Sequence, residues 1–329
     1  MNISIIGCGS WGVSLGEVLA TNGNDVLIYD NNEGVVNLLN TKHESFVLNG
    51  ALVNRRVKAT LSLGDVLNFS EVLVLAVPTK VIRDTLKLIS KFDNKNRLFV
   101  NASKGLEPDT FKRVSEIVQE EIKDYKGYVQ LTGPSHAEEV ILHEPTLICS
   151  AGTSEKHNKY IQELFSNQLF FRVYTNLDLI GCELGGAFKN IYALASGVLT
   201  GLGYGDNAKA ALISRGLVEM ERLIVRMGGK SETVYGLSGV GDLMVTCFSP
   251  HSRNYQTGVK LAKTNDLNKV LSEMTMVVEG ARTVKAAYNA KNFYKIDTPI
   301  IDSIYEVIYN KVSPKEAIKK LLMRELKHE

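Results

Sequence analysis

Gly7-Cys8-Gly9-Ser10-Trp11-Gly12 follows the apolar pair Ile5-Ile6, so a Gly-x-Gly-x-x-Gly turn is entered from a strand pattern and left by a helical one. In that setting the backbone does the chemistry. Gly7 permits the tight turn, Gly9 leaves room for a pyrophosphate beside the main chain, and Gly12 lets the next helix sit close to the strand. The helix expected over Ser10 to Thr21 turns unpaired N–H groups and the positive end of its dipole toward phosphate. Asp30 closes the next apolar run, Asp25 to Tyr29, 18 positions after Gly12. A carboxylate there accepts hydrogen bonds from ribose hydroxyls; Asn31, beside it, joins the candidate nucleotide contacts.

Polar residues interrupt the pattern at five further places. Lys104, in Asn101-Ala-Ser-Lys104-Gly105, stands at the C-terminal end of a strand pattern, the edge where doubly wound sheets bind ligands. It can reach a carbonyl or phosphate, and a solvated loop lysine reads equally well. Gly133-Pro134-Ser135 repeats the arrangement at the next strand: an anion site, or an N-cap serving only its helix. Lys189 shares a helix face with Gly185, Ala193 and Ser196, side chains too small to cover it, so it is expected to point into a cleft and serve as a general acid and base. Asn190 can orient a carboxamide or a bridging water. Gly236 to Cys247 is a glycine-punctuated turn with Asp242 at a helix start, where an N-cap is the plain alternative. Ser249-Pro250-His251-Ser252-Arg253-Asn254 gathers two hydroxyls in Ser249 and Ser252, a guanidinium and a carboxamide near another helix start, a compact oxyanion receptor.

The elements that must position these groups fall into two kinds. Through the first half, short apolar runs alternate with helical patterns, the sign of parallel strands joined by crossover helices. Strands are expected at Asn2 to Ile6, Asp25 to Tyr29, Val72 to Val77, Arg97 to Asn101, Tyr128 to Thr132, Thr146 to Ser150 and Leu169 to Tyr174, with Lys42 to Ala59 an irregular excursion. From about Leu177 only helical periodicity remains. Leu184, Phe188, Ile191, Leu194 and Val198 form one stripe. Ala208 to Met227, Leu267 to Glu273, Ala281 to Asn289, Ile300 to Tyr309 and Pro314 to Lys327 read the same way.

With 329 residues the chain exceeds the size at which one core stops growing. Its 38 basic and 36 acidic side chains nearly cancel, which gives no electrostatic case for nucleic acid or a membrane surface. The apolar run Val72 to Pro78 is far short of the ~20 residues that span a bilayer. Met1-Asn2 leads directly into the first strand, so a cytoplasmic location is expected. Cys8, Cys149, Cys182 and Cys247 are scattered and expected to be reduced, and no ligand cluster points to a metal.

Taken in order, Gly-Cys-Gly-Ser-Trp-Gly, Asn-Ala-Ser-Lys-Gly-Leu-Glu, Gly-Pro-Ser-His-Ala-Glu-Glu-Val, Phe-Lys-Asn-Ile-Tyr-Ala-Leu-Ala-Ser-Gly, Gly-Asp-Asn-Ala-Lys-Ala-Ala-Leu-Ile-Ser-Arg-Gly and His-Ser-Arg-Asn resemble the bacterial NAD(P)-dependent glycerol-3-phosphate dehydrogenases. The resemblance runs from Met1 to about Ala287. It implies an α/β fold: a Rossmann-type doubly wound domain over residues 1–178, then an all-α domain over 179–329 on a 6-phosphogluconate-dehydrogenase-like plan. It also implies NAD or NADP as cofactor, interconversion of dihydroxyacetone phosphate and sn-glycerol 3-phosphate for phospholipid synthesis, and a possible homodimer.

Carried over by position, Ser10, Trp11, Ala137, Val277 and Glu279 match cofactor contacts, and Gly133 and Ser135 match substrate contacts. Lys104 matches a residue touching both. Lys189 falls at the proton-transfer lysine. Asp242, Ser252, Arg253 and Asn254 match the substrate set, with Arg253 also reaching the cofactor. His136 replaces a usual aromatic and Glu138 a common lysine, which puts local pocket shape in doubt. Asp30 should repel the 2′-phosphate of NADPH, so NADH is the expected preference. A dehydrogenase of a 3-hydroxy acid or ketopantoate, or a non-catalytic nucleotide sensor, are the competing readings.

Overall fold

β1 (Asn2–Ile6) and β2 (Asp25–Tyr29) pair in parallel, Asn2 opposite Asp25 and Ile6 opposite Tyr29. Both keep the limits that their apolar runs predict. The computed structural model describes residues 1–264, 266–272, 278–326 and 328. β3 (Val57–Thr60), β4 (Val72–Leu75), β5 (Leu98–Asn101), β6 (Gly127–Thr132), β7 (Thr146–Ala151) and β8 (Phe171–Asn176) complete a sheet of eight strands in the order β8-β7-β6-β5-β4-β1-β2-β3. The order reverses between β1 and β4, which is where such sheets bind ligands.

Alternate residues of one strand enter different cores. Val72 and Val74 pack in one apolar cluster, Leu73 and Leu75 in another, and Val100 and Phe99 on β5 divide the same way. Both faces of the sheet are therefore covered, as the unbroken apolar runs require.

Two expectations need correction. The sheet is mixed, because β6 pairs with β7 antiparallel, Leu131 opposite Ser150. The connection holds only the single-turn helix Ala137–Val140, too little to carry the chain back across the sheet for a parallel return. The excursion at 42–59 is also not wholly irregular. It contains a small hairpin of Glu44–Ser45 with Ala51–Leu52 and then β3, which extends the sheet beside β2.

The chain divides into two compact units, 1–104 with 113–183, and 105–112 with 184–329. The division falls after Glu183, inside the helix Leu179–Gly201, rather than at residue 178. Gly105–Lys112 clusters with the helical unit through contacts such as Asp109 with Lys285 at 2.7 Å and the Phe111 ring 5.8 Å from Phe293.

That unit contains the rest of Leu179–Gly201 and the helices Asp206–Arg226, Ser231–Val234, Asp242–Phe248, Arg253–Thr264, Leu267–Ser272, Glu279–Tyr294, Pro299–Tyr309 and Pro314–Leu322. The last stops at Leu322, short of the expected end; Glu273 and Lys327 lie outside the described residues. No described helix is long and apolar enough to cross a membrane.

Candidate active site

In the sheet-bearing unit, Gly7 has φ +107, and a Cβ there would lie 2.7 Å from the Ala76 carbonyl oxygen at the end of β4. A Cβ on Gly12 would run into the Gly7 carbonyl oxygen. Gly9 is different: a Cβ there meets no heavy atom within 4 Å. The helix Ser10–Thr21 starts without a side-chain cap, whereas Asn32, Ser62 and Ser154 cap the helices they precede. The indole Nε1 of Trp11, in the first turn, is buried and has no hydrogen-bond partner among the described residues. Open space beside Gly9, an uncapped helix start and an orphaned N–H fit a dinucleotide diphosphate.

These glycines separate two effects in one experiment. Gly12→Ala is expected to destabilise the fold by about 3 kcal/mol through backbone overlap. Gly9→Ala, at φ −72, is expected to keep its melting temperature and to weaken NADH binding more than about tenfold. Trp11 is the sole tryptophan, so its fluorescence follows the titration directly. Undiminished binding by Gly9→Ala would remove the diphosphate from this turn.

Asp30 is pinned as well as available. Its Oδ2 accepts from the Cys8 N–H and its Oδ1 from the Asn32 N–H, both at 2.9 Å. The carboxylate thus ties the glycine turn to the end of β2 and keeps lone pairs for a ribose. Asn31 is exposed beside it. Burial, reinforced by the Asp30 charge, pushes the Cys8 thiol up to about 12, so it stays neutral within the glycine turn.

Lys104, Gly133 and Ser135 come together. Lys104 Nζ donates to the Gly133 carbonyl at 2.8 Å and to Ser135 Oγ at 3.3 Å, and Ser135 Oγ donates to the same carbonyl at 2.9 Å. Ser135 is therefore not an N-cap; His136 occupies that position and its side chain does not cap the helix. Gly133 has φ +141, which favours glycine. Ala137 is buried, and its carbonyl accepts from Ser14 Oγ at 2.9 Å, which ties this loop to the helix after the glycine turn.

The helical unit holds the other group. Lys189 and Asp242 are 7% and 0% exposed, and Lys189 Nζ donates to Asp242 Oδ1 and, at 2.9 Å, to Thr246 Oγ1. Thr246 Oγ1 in turn donates to the Asp242 carbonyl oxygen at 2.6 Å. Asp242 is not an N-cap, because a π-helical turn, Leu237–Gly241, runs directly into its helix. Such turns gather at functional sites.

The small residues near Lys189 do not leave an open face. A Cβ on Gly185 would lie 2.5 Å from the Ser238 carbonyl oxygen, Ala193 is fully buried, and Ser196 Oγ donates to the Cys247 carbonyl at 2.8 Å. Gly185 and Ser196 admit neighbouring backbone, and the lysine is buried rather than left uncovered.

Asn254 Nδ2 donates to Asn190 Oδ1, and its Oδ1 accepts from the Gly280 N–H, both at 2.8 Å. One amide hydrogen of Asn254 remains for a ligand. Ser252 caps the helix Arg253–Thr264, its Oγ accepting from the Tyr255 N–H at 3.2 Å, and its own proton remains to donate. Arg253 is exposed, and its guanidinium makes no hydrogen bond or ion pair with a described residue. Glu279 begins the helix Glu279–Tyr294 next to Gly280. Val277 lies outside the described residues.

Thr246 escaped sequence reasoning. Its signal is its place one helical turn after Asp242.

Residues 2–158 match the N-terminal family described as NAD-dependent glycerol-3-phosphate dehydrogenase N-terminus, and residues 178–319 match its C-terminal counterpart. The chain belongs to this dehydrogenase family. A relative from Acholeplasma laidlawii (strain PG-8A), named glycerol-3-phosphate dehydrogenase [NAD(P)+], is 49% identical over 100% of this chain and 99% of its own length. One from Staphylococcus haemolyticus (strain JCSC1435), with the same name, is 44% identical over 99% of each chain. The crystal structure of the Coxiella burnetii glycerol-3-phosphate dehydrogenase superposes with a TM-score of 0.93 at 31% identity, covering 98% of this chain and 99% of that one.

Proposed function

We propose that this chain catalyses the reversible NAD(P)-dependent conversion of dihydroxyacetone phosphate to sn-glycerol 3-phosphate for phospholipid synthesis, in the cytoplasm. The observation that carries the reading is the buried ammonium of Lys189, aimed by Asp242 and Thr246. Bound nicotinamide would supply the hydride, or take it in reverse. Gly7, Gly9, Ser10, Trp11 and Gly12 would hold the diphosphate, Asp30 and Asn31 the ribose, and Ala137, Val277 and Glu279 the remaining contacts.

Arg253, Asn254 and Ser252 grip the substrate phosphate with a guanidinium fork, an amide hydrogen and a hydroxyl. Lys189 gives a proton to the C2 oxygen as that oxygen gains charge, and recovers it in the reverse direction. Asp242 and Thr246 keep the ammonium oriented. Lys104, with Gly133 and Ser135, adds positive potential where charge develops only in the transition state.

A spectrophotometric assay of NADH loss with dihydroxyacetone phosphate tests the reading against ketopantoate and 3-oxo acids. Turnover confined to the phosphorylated ketone is expected, and faster turnover of a keto acid would displace it. The same assay tests cofactor choice. Because the Asp30 carboxylate would face a 2′-phosphate, kcat/KM is expected to be higher with NADH than with NADPH; equal values would remove that role.

A further inference from the structure

Gln130 lies on β6 in the run Gly127-Tyr-Val-Gln-Leu-Thr132, where five of six residues are buried, and it is itself 1% exposed. Three of its four hydrogen-bonding positions are filled, and the fourth faces a hydroxyl shared with Glu183. Nε2 donates to the Ser103 carbonyl at 3.2 Å and to the Leu131 carbonyl at 3.0 Å. Oε1 accepts from Asn101 Nδ2 at 2.6 Å and faces the Tyr128 hydroxyl at 3.1 Å. Asn101 completes the ring, donating from Nδ2 to the Ser103 carbonyl at 3.1 Å while its Oδ1 accepts from the Ser103 N–H at 3.2 Å. Ser103 Oγ donates to the Val77 carbonyl.

Every polar group of the residue before Lys104 is therefore fixed. Lys104 Nζ in turn reaches the carbonyl of Gly133, three residues past Gln130 and just beyond the end of β6. The far end of the ring is anchored too. The Tyr128 hydroxyl, besides facing Gln130, is 2.9 Å from Glu183 Oε1, and the Glu183 carboxylate also accepts from the Ser115 N–H at 2.9 Å, Ser115 Oγ at 2.6 Å and Arg113 Nη1 at 2.8 Å. Burial pushes that carboxyl up, and Arg113 and Ser115 act against it.

Replacing this amide by an apolar side chain would strand the Ser103 and Leu131 carbonyls and the Asn101 amide, so lost stability alone does not distinguish a positioning role from a structural one. Gln130 joins the two loops that carry Lys104 and its acceptor. We infer that Gln130, with Asn101 and Tyr128, is a positioning residue for Lys104: it fixes the Ser103–Lys104 backbone so that the ammonium stands over the Gly133–Ser135 turn. The inference deepens the proposed function and rests on its assignment of Lys104 to the reaction.

Two measurements test it. In the first, kcat/KM for dihydroxyacetone phosphate and NADH is compared in a double-mutant cycle. Gln130→Met is expected to lose about 10–100-fold, the scale of a misplacement near 1 Å. In a Lys104→Ala background the same change is expected to cost less than about twofold, because residues acting through one another are not additive. Equal losses in both backgrounds would make Gln130 merely structural and overturn the inference.

The second measurement needs no turnover. The acylation rate of Lys104 by a lysine-selective ester, read by peptide mass spectrometry, is expected to rise at least about threefold in Gln130→Met and in the milder Tyr128→Phe at temperatures where both stay folded. Unchanged acylation in both variants overturns the clamp whatever the substrate. A wild-type chain inactive on dihydroxyacetone phosphate, with acylation raised in the variants, supports the clamp and overturns the proposed reaction instead.

Discussion

Lys189→Ala is expected to lower kcat for dihydroxyacetone phosphate reduction about 10³-fold while the NADH dissociation constant stays within about twofold. The magnitude is that of a general acid removed from a reaction whose transition state carries charge on oxygen. Cofactor binding is spared because the glycine turn and Asp30 belong to the sheet-bearing unit, and Lys189 belongs to the helical one. Steady-state rates and quenching of Trp11 measure the two effects independently. A kcat within tenfold of the wild type would reject the lysine as proton donor.

The same substitution carries a stability effect of different origin. Asp242 is fully buried, and its cation is Lys189. Removing the cation alone leaves a carboxylate in low dielectric, a loss of about 3–5 kcal/mol, or a melting temperature lower by about 10 °C for a unit of this size. Lys189→Ala combined with Asp242→Asn is expected to regain most of that stability and none of the turnover. The double variant thus separates a lysine that reacts from one that only neutralises its neighbour.

What was legible in the sequence follows from which forces are local. The glycine turn and its flanking elements were readable to the residue, because a strand of period 2 entering a helix of period 3.6 leaves its pattern in adjacent positions. β3 was not, since Val57-Lys58-Ala59-Thr60 holds one branched apolar side chain, whereas the equally short β4 is apolar throughout. The direction of β7 was also hidden: a buried strand has the same apolar composition whichever way it runs, and only the short connection after Thr132 hinted at the reversal. At Gly185, Ala193 and Ser196 the sequence showed a face of small side chains and could not show what fills it. The structure brings backbone there, so smallness meant close approach rather than exposure. The buried chain from Asn101 through Gln130 to Glu183 left one signal, a lone amide within an apolar strand, whose partners come from distant positions.

Arg253 offers the opposite case to Lys189, because nothing in the fold depends on its guanidinium. Arg253→Ala is expected to leave the melting temperature unchanged, since the side chain is exposed and the cap of its helix is Ser252. Against dihydroxyacetone phosphate, however, kcat/KM is expected to fall about 10²-fold, the loss of roughly 3 kcal/mol from charge-assisted hydrogen bonds to a dianion. The decisive control is unphosphorylated dihydroxyacetone. That ketone lacks the group Arg253 is proposed to hold, so wild type and variant should turn it over at rates within about threefold of each other, with NADH affinity measured separately to remove any contribution from the cofactor side. Arg253→Lys keeps the charge and loses the planar fork, and its rate with the phosphorylated substrate should fall between the two. If the alanine variant lost equally on both ketones, the guanidinium would serve the cofactor or the reacting carbonyl, and the phosphate would have to be held elsewhere in the helical unit.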